Sequence, residues 1–555
     1  MWIARDWPLL VALPAALLLD LSFRRLWLDD PWISFRYAAN LASGHGLVFN
    51  PGERIEGFSN PSWTLLLALV IAAHLPPLAL ARLFGIALHG VMLVLLWRML
   101  SRRGAPAGKS NGGTAAGTDR LAAGVTLVVV ASSSWVALWA VSGLETPLYV
   151  TALVGAVAAC ASGRPRLAAG LLLLAALTRV EGILAGLALL ALLARRPAEL
   201  RRQLAVPIIL LGGFGLTLLA RLAYYGRLLP NSYTDKSGLP LRQAWDGGLD
   251  YLHGSLARIG GDTNAMATVL PAGQGFSASV TTCLLVGAVS LVAAWWRARG
   301  PLAVAVTLAA GVAELSLVIA LVSGGDWMPA GRFLVPVLVL GVIPLGYGAG
   351  SAARALAAPG RPAALRGAAV VACLVLAVPA LAVWASGQQR DVANYLTRFD
   401  QPGQRAPGSS IDAAGALGSL SSRNPRYEAL ARWLDANAAP GALVAIEEAG
   451  LVPYLTPQLR YLDLFGLTDP VIARGTGRPP FDKHDDAYVL SVRPSLVVTW
   501  GQPLRRGFVS SHQRTLLDDP GFRADYRQVL LAPKDALFSF AVYARVDGRR
   551  PPPGS

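Results

Sequence analysis

LDDPWISFRYAANLASGHGLVFN, residues 28–50, follows the first long apolar run of the chain and opens with two adjacent carboxylates, Asp29 and Asp30. Asp30 followed by Pro31 reads as an N-cap with proline at the first helical position. It starts an amphipathic helix, ISFRYAANLA, that ends at Gly44 and Gly46. Asp29 is not needed for that cap. Two close carboxylates raise one another's pKa and suit removal of a proton from a hydroxyl. From the residues alone, the catalytic and the capping readings of the pair both stand.

Outward from this stretch the chain is apolar. Of 555 residues 54% are hydrophobic and 15% charged, too few charges to coat a soluble protein of this length. Apolar runs at 7–23, 82–100, 121–140, 146–161, 167–178, 182–194, 203–223, 275–296, 302–322, 333–350 and 367–385 predict about eleven spans. WTLLLALVIAAHL, from Trp63 and closed by Pro76 and Pro77, is short and reads as an interfacial or re-entrant helix. The first run, with no small-residue cleavage site, reads as an uncleaved span. The net charge of +16 lies mostly in short connectors (SRRGAPAGK at 101, GRPR at 163, ARRPAELRR at 194, RARG at 297, SAARALAAPGRPAALR at 351). This is the pattern of cytoplasmic loops and speaks against a nucleic-acid-binding face. The expected fold is a polytopic α-helical membrane protein in the cytoplasmic membrane. It has a transmembrane domain over 1–385, an external loop at 24–81, a linker at 386–424 and a soluble extracytoplasmic α/β domain at 425–555. In that last segment YEALARWLDANAA predicts a helix, and ALVAIEE, YLDLFG, SLVVTW and FAVYARV predict strands.

With the basic connectors inside, five polar loops fall outside: LDDPW, SGLET at 142, TRVEG at 178, YYGRLLPNSYTDKSG at 224 and GGDWMPAGR at 324. Arg179 and Glu181 read either as an ion pair closing a helical hairpin or as functional groups held at the membrane edge. Lys236, one of four lysines, and Arg332 are cations suited to a phosphate, and Arg179 joins them. Tyr233 and Asn231 neighbour Lys236 on the same loop. Glu56, Glu145, Glu181, Asp326, Trp327 and His45 are candidates for sugar or acceptor contacts, although Glu145 also suits a helix start. Tyr37, Trp63, Tyr233 and Trp327 offer rings for stacking or interface anchoring. No cofactor is predicted; a divalent cation on Asp29, Asp30 and Asp326 is left open, although no ligand spacing supports it. Three cysteines in apolar runs give no disulfide framework. No P-loop, dinucleotide fingerprint, HExxH or nucleophile elbow occurs. A transporter of lipid-linked sugars is the competing class, but the repeats expected of one are not visible.

Taken together, DDPWISFRYAANLASGHGLVFNPGERIEGFSNPSW (29–63), SGLETPL, LTRVEG, YYGRLLPNSYTDK, GGDWMPAGRFLVP and YLDLFGLTDPVIAR resemble the C-fold (GT-C) glycosyltransferases that use polyprenyl-phosphate sugars. In particular they resemble the mycobacterial terminal β-(1→2)-arabinofuranosyltransferase family. The resemblance implies a donor like decaprenyl-phosphoryl arabinofuranose, an arabinan or other glycan acceptor, and a first external loop that carries the catalytic base, here Asp29. The chain departs from the family pattern at Pro31, Trp32, Phe58, Ser59 and Val180, around the implied pocket.

Overall fold

The computed structural model describes residues 3–101, 112–260, 274–326, 328, 331–356, 387, 390, 424–477, 483–500, 515–532 and 540–546. The chain divides into two compact units. One comprises Met1–Leu26, Ala81–Gly215 and Pro240–Arg398; the other comprises Trp27–Leu80, Leu216–Leu239 and Phe399–Ser555.

The protein is a polytopic α-helical membrane protein. Among the described residues five helices are long and apolar enough to cross a membrane: Pro77–Ser101, Ala205–Tyr225, Ser277–Arg297, Pro301–Val322 and Arg332–Ser351. The run at 121–140, expected as one span, is broken into two helices. Ala123–Ala131 and Ser134–Ala140 meet at a 57° bend, and Ser133 caps the second by accepting a hydrogen bond from the Val136 amide. The apolar helices Thr146–Ala161, Pro165–Thr178 and Gly182–Ala194 are shorter than a full span. The expected span at 367–385 and most of the linker at 386–424 lie outside the described residues.

Charges buried in the first unit are satisfied by backbone or by one another. Arg82 is 1% exposed, and its guanidinium donates to the carbonyls of Arg24, Leu26 and Val141. His89 Nδ1 lies 3.0 Å from Asp20 Oδ1, joining Ile3–Ser22 to Pro77–Ser101. Gly85 has no room for a side chain, since a Cβ there would sit 1.9 Å from the Ala140 carbonyl oxygen.

The second unit contains a five-stranded sheet of β1 (Leu443–Ile446), β2 (Arg460–Asp463), β3 (Leu496–Trp500), β4 (Tyr526–Ala532) and β5 (Phe540–Arg545). Their order is β2-β1-β3-β5-β4, with β1 parallel to β2 and β3, and β5 antiparallel to β3 and β4. Four of the five strands are the predicted ones. β4 escapes the pattern because YRQVLLA follows the helix Pro520–Asp525 without a turn signal, and it lies at the sheet edge with a bulge between Gln528 and Leu530. Ala445, Leu462, Val497 and Phe522 form the core.

The segment Trp27–Leu80, which covers most of the loop expected at 24–81, belongs to this unit. Its helix, Pro31–Ala42, is not the half-exposed amphipathic element expected, because Trp32, Phe35, Arg36, Tyr37 and Asn40 are all buried. Arg36 is the reason. Its guanidinium donates to the carbonyls of Phe49 (2.8 Å), Pro453 and Leu459 (3.0 Å), and lies over the rings of Phe49 and Tyr461. Asn50 pairs with the backbone of β2, donating to the Tyr461 carbonyl at 2.7 Å and accepting from its amide at 2.9 Å. Replacing Arg36 with alanine strands several buried carbonyls. We expect a loss on the order of 3 kcal/mol, read as faster amide hydrogen exchange across residues 443–463 of the protein in nanodiscs.

Candidate functional site

Asp29 sits in the turn that starts the Pro31–Ala42 helix, where its carbonyl accepts from the Trp32 amide at 3.0 Å. Asp30 occupies the N-cap position with helical backbone angles, and its side chain makes no capping hydrogen bond. The capping role expected of Asp30 is therefore not realised: with φ −51° and ψ −39° the residue already continues the helix.

Asp29 Oδ1 accepts from the Leu451 amide at 2.9 Å, and its carboxyl also hydrogen-bonds the Gly450 backbone and the side chain of Glu448. Glu448 Oε1 accepts from Trp500 Nε1 at 3.0 Å, and Tyr427 is a further hydrogen-bond partner. Trp27, Trp32, Tyr427 and Tyr454 pack on one another, with ring centroids 5.0–6.3 Å apart, and Tyr427 joins this cluster to the pair. Both residues are half-buried overall, with their carboxyl groups turned inward. Burial is the chief cause that pushes Asp29 up to about 6; the Leu451 amide opposes it, and the charge of Asp30 adds to it. Glu448 is raised well above the usual range by burial and then by Asp29. Two raised carboxyls in hydrogen-bond contact favour one negative charge with a proton held between them over two charges, which leaves an anionic oxygen to accept another proton. Glu448 was not among the sequence candidates; nothing in VAIEEAG distinguishes it from a surface acid at a strand end.

In the first unit a second set of charges converges. Arg179 pairs through Nε with Glu181 and through a terminal nitrogen with Glu145 Oε1 at 3.3 Å. Arg332 binds Asp326 through two hydrogen bonds of 2.7 and 3.0 Å. Phe333 lies under both guanidinium groups, 5.1 Å from Arg179 and 5.3 Å from Arg332. Burial alone would raise Glu181, but Arg179, with a smaller contribution from Arg332, outweighs it and lowers its pKa. Thr146, Tyr149, Arg179, Glu181, Arg332 and Phe333 border a cavity of about 20 Å³, the space of one water. Glu145 takes the N-cap position of Thr146–Ala161 without a side-chain capping bond. Gly331 lets the loop close, at φ +61° and with no room for a Cβ against Trp135.

The remaining candidates divide. Glu56 and Asn231 are buried in the second unit, and Glu56 Oε1 accepts from Arg221 at 3.0 Å. Tyr233 is 54% exposed and His45 is exposed. Lys236 ends the short helix Asn231–Lys236, and its side chain, like Trp327, lies outside the described residues. Tyr37 and Trp63, considered as stacking rings, are at most 1% exposed and serve the core instead. Among the described residues no group of three or more His, Cys, Asp or Glu is arranged to hold a metal ion.

Gly450 is the position on which the carboxyl pair depends, because a Cβ there would lie 2.2 Å from Asp29 Oδ2. Gly450→Ala should displace the Asp29 carboxyl and cost 1–3 kcal/mol or so in stability, measured by thermal melting in detergent. The shared proton has its own signature. Asp29 and Glu448 bind protons in the folded protein more tightly than in the unfolded chain. The stability Asp29 adds in this way is therefore complete below its ordinary value of 3.8 and is lost as pH rises through about 6. Asp29→Asn should flatten the melting temperature over that window.

A family described as a domain of unknown function (DUF8728) matches residues 419–546. Over 265 residues the chain is 29% identical to the terminal beta-(1->2)-arabinofuranosyltransferase of Mycobacterium tuberculosis, a match that takes in 42% of this chain and 38% of that protein. The chain thus spans well under half of that relative's length. Two solved structures align along it. One is ArnT from Cupriavidus metallidurans bound to undecaprenyl phosphate (14% identity, TM-score 0.48, 98% of this chain and 99% of that one). The other is the archaeal oligosaccharyltransferase AglB from Archaeoglobus fulgidus in complex with an inhibitory peptide and a dolichol-phosphate (13% identity, TM-score 0.48, 100% and 76%).

Proposed function

We propose that this chain is an inverting membrane glycosyltransferase. It moves a sugar, arabinofuranose in the first instance, from a polyprenyl-phosphate donor to a hydroxyl of a cell-wall arabinan at the outer face of the cytoplasmic membrane. The observation that carries this reading is the Asp29–Glu448 carboxyl pair, poised to exchange one proton at the start of the first external loop of a membrane protein. The sequence similarity to an arabinofuranosyltransferase supports the choice of sugar, and the basic connectors support an extracytoplasmic position for residues 386–555.

In this mechanism anionic Asp29 takes the proton of the acceptor hydroxyl as that oxygen attacks the anomeric carbon. The bond from that carbon to the phosphate oxygen breaks, and polyprenyl phosphate leaves with the electron pair. A base whose pKa lies near the working pH is effective because it is both ionised and basic. The Leu451 amide and Glu448 orient the carboxylate, and Glu448 holds the proton that would otherwise rest on it. Arg179, Arg332 and Lys236 are assigned to the growing charge on the leaving phosphate. Arg179 and Arg332 already carry carboxylate partners, so their role is oriented positive charge within a network rather than a bare cationic cradle.

The test is transfer by purified protein in nanodiscs from polyprenyl-phosphoryl arabinofuranose to an arabinan oligosaccharide. Wild type should form product, and Asp29→Asn should lower turnover by roughly a hundredfold or more while still binding the lipid donor. Activity only with another polyprenyl-phosphate sugar, such as a mannose, would keep the reaction class and overturn the sugar. Movement of the lipid-linked sugar across the bilayer without product would identify a transporter instead.

A further inference from the structure

A cavity of about 190 Å³ in the second unit is lined by Arg54, Glu56, Tyr225, Arg227, Leu229 and Asn231, among others. None of the groups that hold the Asp29 carboxyl lines it. Two of its side chains carry buried acceptor atoms, Glu56 Oε2 and Asn231 Oδ1, that have no hydrogen-bond partner among the described residues. The residues are 5% and 2% exposed, so these atoms are withdrawn from bulk water. An acceptor left in that condition is costly, and its usual explanation is a ligand or ordered water that donates to it.

The orientation of both groups is imposed by their other bonds. Asn231 Nδ2 is surrounded by the carbonyls of Gly466 (2.7 Å), Leu467 (3.1 Å) and Asp469 (3.2 Å). Only the NH2 end of the amide can face three carbonyls, so the oxygen must face the other way. Glu56 is fixed through Oε1 by Arg221 and through its backbone carbonyl by the Asn231 amide at 2.7 Å. Its neighbours are held in turn by Tyr37, whose hydroxyl donates to the Ile55 carbonyl and accepts from the Gly57 amide, each at 2.8 Å. The two acceptors are thus pre-set, and Arg54, whose guanidinium lies over the Tyr224 ring, and Arg227 line the same cavity.

A ligand that fits must donate at least twice and accept as well. The volume equals about six waters' share of the liquid, enough for one monosaccharide ring. Sugar hydroxyls have both capacities, whereas a simple anion has no hydrogen to donate to Asn231 Oδ1. We infer that this cavity is a sugar subsite, in which hydroxyls of one ring donate to Glu56 Oε2 and Asn231 Oδ1 and accept from Arg54 or Arg227. The inference rests on the glycosyltransferase reading for the source of the sugar, which is either the head of the lipid donor or a residue of the glycan acceptor.

Binding is measured in the Asp29→Asn background, where no turnover consumes the ligands, with polyprenyl-phosphoryl arabinofuranose in one arm and an arabinan oligosaccharide in the other. Glu56→Gln keeps an oxygen for Arg221 and is nearly isosteric, and Arg227→Ala is a second variant that leaves the Glu56–Arg221 pair intact. Both should weaken one of the two ligands about tenfold; Glu56→Gln lowers the melting temperature because it leaves the Arg221 charge uncompensated, whereas Arg227→Ala leaves it unchanged and so separates binding from folding. In the active enzyme the same variants should raise KM for that ligand and leave kcat within about twofold. Loss in the lipid arm places the donor sugar in the cavity, and loss in the oligosaccharide arm places an acceptor residue there. If the otherwise wild-type enzyme transfers sugar but neither variant weakens either ligand, the cavity holds water only and the subsite is refuted while the function stands. If the Asp29→Asn protein binds neither ligand and the wild type forms no product, both fall.

Discussion

Arg36 is the constraint on which the second unit depends. A guanidinium at 3% exposure must be given a partner for its donors, and here the partners are main-chain carbonyls from the Trp27–Leu80 segment and from the segment between β1 and β2. Burial lowers its pKa to about 10, still far above neutrality, so the charge persists in the fold. The consequence is geometric. Because Arg36 lies about two helical turns beyond Asp29, which stands just before the helix Pro31–Ala42, tying it to Pro453 and Leu459 also brings the start of that helix to Glu448, Gly450 and Leu451. The carboxyl pair is a by-product of that docking.

Other side chains repeat the device of binding backbone instead of side chain. Asn50 extends the edge of β2 as a further strand would, Asn231 gathers three carbonyls of the 466–469 turn, and Lys483 donates to the carbonyls of Thr234, Ser237 and Ala473. Loops without regular structure carry unpaired backbone groups, and one long polar side chain can satisfy several of them at once. Close glycines complete the fit: at Gly57 a Cβ would meet Thr468 at 2.6 Å and the Tyr37 hydroxyl at 2.9 Å.

In the first unit the same rule takes an ionic form. Arg179 and Arg332 face three carboxylates, Glu145, Glu181 and Asp326, and an aromatic ring, Phe333, separates the two cations. Paired charges of this kind are costly to bury but well oriented, which suits a role exerted at the moment charge develops elsewhere.

The apolar runs, the basic connectors and the alternation of short strands in the tail determined the membrane class and most elements, because the 3.6- and 2-residue periods and the length of a span are local properties. The pairing of Arg179 with Glu181 was legible for the same reason, two residues apart on one turn. Glu448 was not, since its meaning comes from a carboxylate more than four hundred positions earlier in the chain. Nor was the failed cap of Asp30, which depends on backbone angles, nor the burial of Arg36, which the helical period alone would have turned outward. Sequence by itself determined most of the helices, strands and loops, the edge strand β4 and the bend between Ala131 and Ser134 excepted. Tertiary structure alone decided which charges meet, because hydrogen bonds and desolvation are set by neighbours in space and not along the chain.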